Sequence, residues 1–513
     1  MHRRTWALVA VVLGSGIVFL DSTVVNVALK AIGAELPASF LGVLEGQAYV
    51  VNGYLLTLSA LLVLAGALAD RVGRRRMFLI GLIGFGASSV LCGAAPTLEL
   101  LVAFRLIQGV FGAILVPTSL AIITATFSGE ERGRAFGIWA AASGATTIAG
   151  PLVGGFLVDA LTWRLCFLLN IPLIIGAVAA AWRNLDESRD EEAGRRLDWL
   201  GAAVVAVGVG GLTFGAIRGQ QSDWRDASAF AALGIGAVAT AAVVPLMALR
   251  RDPLVPLGLF RSRNFSVTNV STVLIYGALY VYAYVQAIYL QGSLGYSALA
   301  AGIATVPSSL LLVFVSTQVG TLAARVGPRI FMTVGPALMA AGLLWLARIP
   351  ATSAPWDAAL GHPGSLLPPV SFWVDVVPGV VVFGAGLAIL VAPLTTALMT
   401  SVPARNSGLA SAINNALSRI GPLLAGAAIF VALTATYYGS LHAAQPQLDT
   451  TAPAVREQFT AFKAPANVTT PQQQAARDSS TDAFHVAMLI SAGLCLAGAA
   501  VNGWGIRNAQ ATG

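Results

Sequence analysis

The chain has 513 residues, 57% hydrophobic and only 10% charged, with a mean hydropathy of +0.78. A soluble domain carries about 25% charge, so a water-soluble globule is excluded. The net charge of +7 does not mark a nucleic-acid binder, because the arginines lie in short loops between apolar runs rather than on one soluble module.

Apolar runs of about 20 residues read as spanning helices, so the fold class is an all-α polytopic membrane protein. Fourteen such runs are counted: Trp6–Leu29, Gly46–Ala69, Met77–Ala94, Leu98–Ile123, Arg134–Val158, Leu165–Trp182, Leu200–Ile217, Ala227–Leu249, Phe265–Leu290, Ala298–Ala323, Ile330–Ala347, Val374–Thr400, Gly408–Thr434 and Ala483–Ile506. The first run is too long for a signal-peptide core and contains Asp21, so it reads as a retained span. Alternate turns carry Arg3 and Arg4, Arg71 to Arg76, Arg132 and Arg134, Arg183 to Arg196, Arg250 to Arg263, Arg325 and Arg329, Arg405 and Arg507. The opposite turns carry few, among them Lys30, Arg164, Arg218, Arg225 and Arg348. By the positive-inside rule both termini are expected in the cytoplasm of a cell-membrane protein.

The turn after the second span, Gly66-Ala67-Leu68-Ala69-Asp70-Arg71-Val72-Gly73-Arg74-Arg75-Arg76, packs an acid, arginines and two glycines into a tight connection. It is echoed by Gly320-Thr321-Leu322-Ala323-Ala324-Arg325-Val326-Gly327-Pro328-Arg329, with Ala324 in place of the acid. Gly150-Pro151-Leu152-Val153-Gly154-Gly155 is echoed by Gly421-Pro422-Leu423-Leu424-Ala425-Gly426 at a similar offset. Two related six-helix halves follow, residues 1–183 and 265–513, with two inserted spans and their linkers over 184–264. Repeats around a midplane site are the design of secondary transporters. The segments Pro350–Trp373 and Tyr438–Asp482 are rich in polar and small residues and are expected to be ordered in part at best. Cys92, Cys166 and Cys495 read as small apolar fillers. No metal or other cofactor is expected.

Ionisable groups inside spans are costly, so each is a functional candidate. Asp21 lies well inside the first span. It is either an acid that takes a proton from one side and gives it to the other, or a structural acid paired with an arginine. Arg105, Gln108 and Gly112 share one face of the fourth span, where Arg105 could face Asp21. Gly150 and Gly154 have the small-residue spacing of close helix contact, and Pro151 bends the fifth span, as a seam between rocking halves requires. Tyr276, Tyr280 and Tyr284 recur every fourth residue in the ninth span, with Gln286 nearby. They are a ligand-cavity wall or a packing stripe. Asn414, Asn415 and Arg419 place polar groups in the thirteenth span and, with Gln108, are candidates for the substrate site.

The turn resembles the signature G-x-L-x-D-R-x-G-R-[KR]-[KR] of the major facilitator superfamily at every position. The whole chain is similar to that superfamily's fourteen-span drug:proton antiporters. Asp21 with Val24-Val25-Asn26, Arg105-x-x-Gln108-Gly109, Gly150-Pro151-x-x-Gly154-Gly155 and Asn414 to Arg419 resemble its motifs of spans one, four, five and thirteen. The resemblance implies that Asp21 and Arg105 serve proton coupling. It implies that Gly66, Asp70, Arg71, Gly73 and Arg74 form a latch between the halves, and that the fifth-span motif belongs to export. Lys30 and Thr146 depart from the usual proline and glycine.

The expected function is a proton-coupled exporter of amphipathic drugs, not an enzyme. Its expected partners are the lipid bilayer, protons and a small-molecule substrate; the chain is expected to be monomeric. A dedicated exporter of one metabolite, lipid or self-made antibiotic is the alternative. A membrane-embedded enzyme would need clustered Asp, Glu or His, and the four histidines are scattered. No nucleotide-binding loop is present for an ATP-driven pump. Arg105 and Arg419 against Asp21 leave the core net positive, which disfavours dications.

Overall fold

The structure is a computed structural model that describes residues 2–38, 43–189, 197–221, 226–359, 363–465 and 468–508. Among these residues, fourteen helices are long and apolar enough to cross a membrane. They are Arg3–Glu35, Gly46–Val72, Arg74–Gly93, Leu98–Thr126, Gly129–Val158, Leu165–Asn184, Trp199–Gly219, Ala227–Leu249, Arg263–Gly292, Ala298–Val326, Arg329–Leu346, Phe372–Thr400, Ala404–Ala444 and Thr470–Gly505, here spans one to fourteen. A helix keeps its backbone hydrogen bonds to itself, which is why the apolar runs adopt it throughout.

Spans one to six pack on one another, and spans nine to fourteen do the same. Spans seven and eight pair with each other, and span seven lies against spans two and thirteen. Asp198 ties the two linkers of this pair together: its carboxylate accepts from the Gly201 and Leu254 amides at 2.9 and 3.3 Å.

The two bundles meet along two seams. Span two lies on span thirteen, and span five on span ten. Glycines set the second seam. A methyl at Gly137 would fall 2.6 Å from the Thr317 Cα, and one at Gly144 2.8 Å from Leu312. Gly155 lies about three turns beyond Gly144 on the same face. Among the described residues, nothing lies within 4 Å of a methyl added there. Spans five and ten therefore separate toward that end, and the bundles enclose a cleft closed at the arginine-rich end. Leu152, Phe156 and Val431 are exposed toward the opposite end.

The segment over 438–482 is more ordered than its composition suggested. Span thirteen continues to Ala444, a short helix covers Pro453–Gln458, and span fourteen starts at Thr470 behind a Thr469/Gln472 capping box. Gln and Ala are good helix formers, and Phe459 and Phe462 anchor the connection by burying themselves over the bundle end. In the 350–373 segment, Trp356 and Phe372 are buried in contact, ring centroids 4.8 Å apart. His362 and Arg225 lie outside the described residues.

Candidate functional site

Asp21 is completely buried inside the first bundle, and so is Arg105. Arg105 Nη1 donates to Asp21 Oδ2 at 2.5 Å and to Gln108 Oε1 at 2.7 Å. The i, i+3 spacing of Arg105 and Gln108 puts both on the face that looks at span one. Gln108 Nε2 donates to Asp21 Oδ1 at 3.3 Å, and Asn170 Nδ2 does so at 3.0 Å. Ser89 Oγ accepts from both amides. Arg105 Nε is held by the Val50 carbonyl at 2.9 Å, and its guanidinium lies over the Tyr54 ring, 4.1 Å from the centroid. One charge pair is thus neutralised and hydrogen-bonded on most sides, the condition under which ions survive in a low-dielectric interior. Arg105 Nη2 and Asn170 Oδ1 are buried without a hydrogen-bond partner among the described residues.

The sequence set Arg105 opposite Asp21, and the structure brings the two together. Gln108, expected at the substrate site, is instead fully buried and bonded into this charge network. The sequence reading missed Asn170, Ser89 and Tyr54. Asn170 carried a signal: it is a lone amide where span six breaks between Leu165–Leu168 and Asn170–Asn184.

The second constellation closes the arginine-rich end. Asp70 Oδ1 accepts from Arg74 Nε at 3.0 Å, Arg74 Nη2 at 2.8 Å and the Gly408 amide at 3.0 Å, while Oδ2 accepts from the Leu409 amide at 2.8 Å. Arg74 Nη2 also donates to the carbonyls of Ala404 and Arg405. A carboxylate from one bundle thereby occupies the positive end of a helix in the other. Gly66 allows the approach, since a methyl there would lie 2.5 Å from Gly408 O and Ala412 Cβ. Gly73 adopts φ +123°, a conformation that favours glycine. It leaves room for Glu187, whose carboxylate accepts from the Arg75 and Arg76 amides at 3.1 and 3.2 Å. Arg71 lines the neighbouring pocket beside Arg251 and Asp252. Glu187 was not anticipated, because a charged linker gives no signal for which acid folds back. In the echoed turn, Arg325 supplies the opposite charge and pairs with Glu130 at 2.6 Å.

The fifth-span motif lies elsewhere than expected. A methyl at Gly150 would strike Thr23, and one at Gly154 would lie 3.1 Å from Val24 O. These glycines pack span five on span one inside the first bundle, not across the halves. Small-residue spacing permits close approach without naming the neighbour. The seam with span ten uses Gly133, Gly137 and Gly144 instead. Pro151 is exposed.

In the second bundle, Tyr280 and Tyr284 are exposed and Tyr276 is half-buried beside Tyr280. Tyr284 meets Phe430 edge to face at 5.7 Å. Gln286 is turned away from this wall and buried. Asn414 Nδ2 donates to Asn269 Oδ1 at 3.0 Å and Thr272 Oγ1 at 2.8 Å, joining span thirteen to span nine. Asn415 bonds back to Ser411 within its own helix. Arg419 is half-buried and makes no hydrogen bond or ion pair among the described residues.

Residues 11–426 match the family described as Major Facilitator Superfamily. The chain is 33% identical over 447 residues to the multidrug resistance protein Stp of Mycobacterium tuberculosis, covering 87% of this chain and 78% of that one. It is 31% identical to the tetracenomycin C resistance and export protein of Streptomyces glaucescens, over 86% of this chain and 78% of that one. It is 30% identical to the methylenomycin A resistance protein of Bacillus subtilis, over 84% and 88%. The human organic anion transporter MFSD10 shares the fold, with a TM-score of 0.57 at 14% identity over 97% of this chain and 99% of that one. The buried charge pair, the turn closing one end of a two-bundle cleft, and these similarities agree: the chain belongs to the major facilitator superfamily and is a multi-pass membrane transporter.

Proposed function

We propose that this protein is a proton-driven exporter of amphipathic small molecules that works by alternating access, with the arginine-rich end and both termini in the cytoplasm. The observation that carries the reading is the fully buried Asp21–Arg105 pair. It lies in one bundle, beside a cleft that opens away from the cytoplasm. The relatives' names as multidrug and antibiotic resistance proteins support export as the direction.

In the cycle proposed here, Asp21 is the proton carrier. A proton on its carboxylate removes the charge that Arg105 Nη1 and the Gln108 and Asn170 amides hold in place. Arg105 stacks on Tyr54 of span two, the span that forms the seam with span thirteen. Loss of the charge therefore shifts the packing under that seam. The outward-open form is held by Asp70 and Arg74 on the first turn of span thirteen, with Gly66 at the contact, and by Arg325 with Glu130. Release of these contacts opens the cleft to the cytoplasm, where substrate enters. Substrate and proton then favour opposite orientations, the requirement for exchange.

The test is dye export from inverted membrane vesicles with an imposed pH gradient. Export driven by the gradient and stopped by a protonophore supports the reading. Export that persists after the gradient collapses overturns it. Several relatives are named for a single antibiotic, which keeps a narrow-cargo exporter in play. Resistance confined to one compound class among many tested would favour that version.

A further inference from the structure

We infer that Arg419 is the anchor for the acidic group of an aromatic substrate, a carboxylate or phenolate, bound against the tyrosine wall of span nine. This rests on the exporter reading in taking the cleft as the substrate's path.

Among the described residues of spans one to thirteen, the charged side chains set deepest from both span ends are Asp21, Arg105 and Arg419. The first two neutralise each other. Arg419 has no hydrogen-bond or ion-pair partner among the described residues and is only half-buried. An unpaired guanidinium at membrane depth is costly unless it faces a wet cavity or receives a counter-ion. Its position fits a cavity. It lies about two turns beyond Ala412 on the same face of span thirteen, the face that meets Gly66 of span two. Arg419 is thus placed near the closed floor of the cleft.

The wall above it is aromatic. Gly277 of span nine meets Gly421 and Ala425 of span thirteen. Tyr276 therefore stands at the level of the turn just above Arg419, with Tyr280 and Tyr284 on successive turns toward the open end. Phe430 lies about three turns above Arg419 on the same face of span thirteen, and its ring meets Tyr284. Flat rings stack on such a wall with edge and face contacts. The acids of this bundle's spans, Asp375, Asp478 and Asp482, lie toward the end opposite the arginine-rich one, away from Arg419. The helices Arg263–Gly292, Ala298–Val326, Arg329–Leu346, Val377–Thr400 and Ser407–Ala444 contain no Asp or Glu at all. A bare cation beside an aromatic wall selects for an anion carried on a ring. A charge-assisted hydrogen bond from a guanidinium is the strong interaction such a ligand gains.

The test compares two xanthene dyes, anionic fluorescein and cationic rhodamine 123, by fluorescence anisotropy on the purified full-length protein in detergent. Wild type is expected to bind fluorescein more tightly. Arg419→Gln is expected to weaken fluorescein about tenfold or more and to leave rhodamine 123 within about twofold, with Arg419→Lys recovering part of the loss. Equal weakening of both dyes, an unchanged fluorescein affinity, or no fluorescein binding by wild type overturns the inference. If Arg419→Gln does not fold, Tyr284→Leu and Phe430→Leu carry the test. Weaker fluorescein binding in both supports the inference, and unchanged binding in both overturns it. Gradient-driven rhodamine export without fluorescein binding sinks this inference alone. Fluorescein bound through Arg419 with no dye moved under any gradient sinks the exporter reading alone.

Discussion

Asp70→Asn is expected to open the cytoplasmic end. The Asp70 and Arg74 side chains are 7% and 3% exposed, and the carboxylate accepts four hydrogen bonds, two of them from the amides that start span thirteen. Removing one partner of a buried pair costs about 3–5 kcal/mol. Asparagine keeps one acceptor, and Arg74 keeps the carbonyls of Ala404 and Arg405, so the low end of the range applies. About 3 kcal/mol taken from the closed form alone shifts the closed-to-open ratio roughly a hundredfold. The reporter is Ser316→Cys, a small change at a fully buried position against Gly137 on the other seam. The native cysteines are buried and give little background. Alkylation by an impermeant maleimide from the arginine-rich side should accelerate until the open form dominates. An unchanged rate would refute the latch argument. A Ser316→Cys that stays protected while span two opens would refute rigid rocking of the bundles.

Arg325→Ala should change that labelling rate far less than Asp70→Asn, because the Arg325–Glu130 pair is exposed and screened; equal effects would show that burial does not rank the two contacts. Gly137→Ala should give a folded protein that cannot close at the arginine-rich end, since the methyl meets the backbone of Ser316 and Thr317; rapid Ser316→Cys labelling with lost transport is the expected result, and normal transport contradicts it. Gly150→Ala should lower the melting temperature by crowding Thr23, while Gly155→Ala, with open space around it, should melt and transport as wild type does; reversed melting effects would contradict the assigned packing.

The span count and the Asp21–Arg105 pairing were legible because the physics is local: apolar runs must be helical in a bilayer, and a lone acid in one needs a partner. The latch turn was legible as a motif, but its receptor was not. Asp70 binds backbone amides at Gly408 and Leu409, and every helix start offers such amides. Glu187 was hidden for the same reason, as one acid among several in a charged linker. The fifth span shows a different limit. Gly133 and Gly137 are four apart, as are Gly150 and Gly154, yet the first pair, with Gly144, faces span ten and the second faces span one. Spacing names a face, and only tertiary packing names what that face meets. The 438–482 segment was judged by polarity, while Phe459 and Phe462 decide its order by covering the bundle end.

The most direct test of the account is Asp21→Asn in proteoliposomes, assayed in two modes. One is dye accumulation driven by a pH gradient; the other is exchange of labelled for unlabelled dye without a gradient. The account predicts that the driven mode is lost while exchange survives, because the carboxylate carries the proton and the cleft carries the dye. Gradient-driven accumulation at the wild-type rate in Asp21→Asn would contradict it.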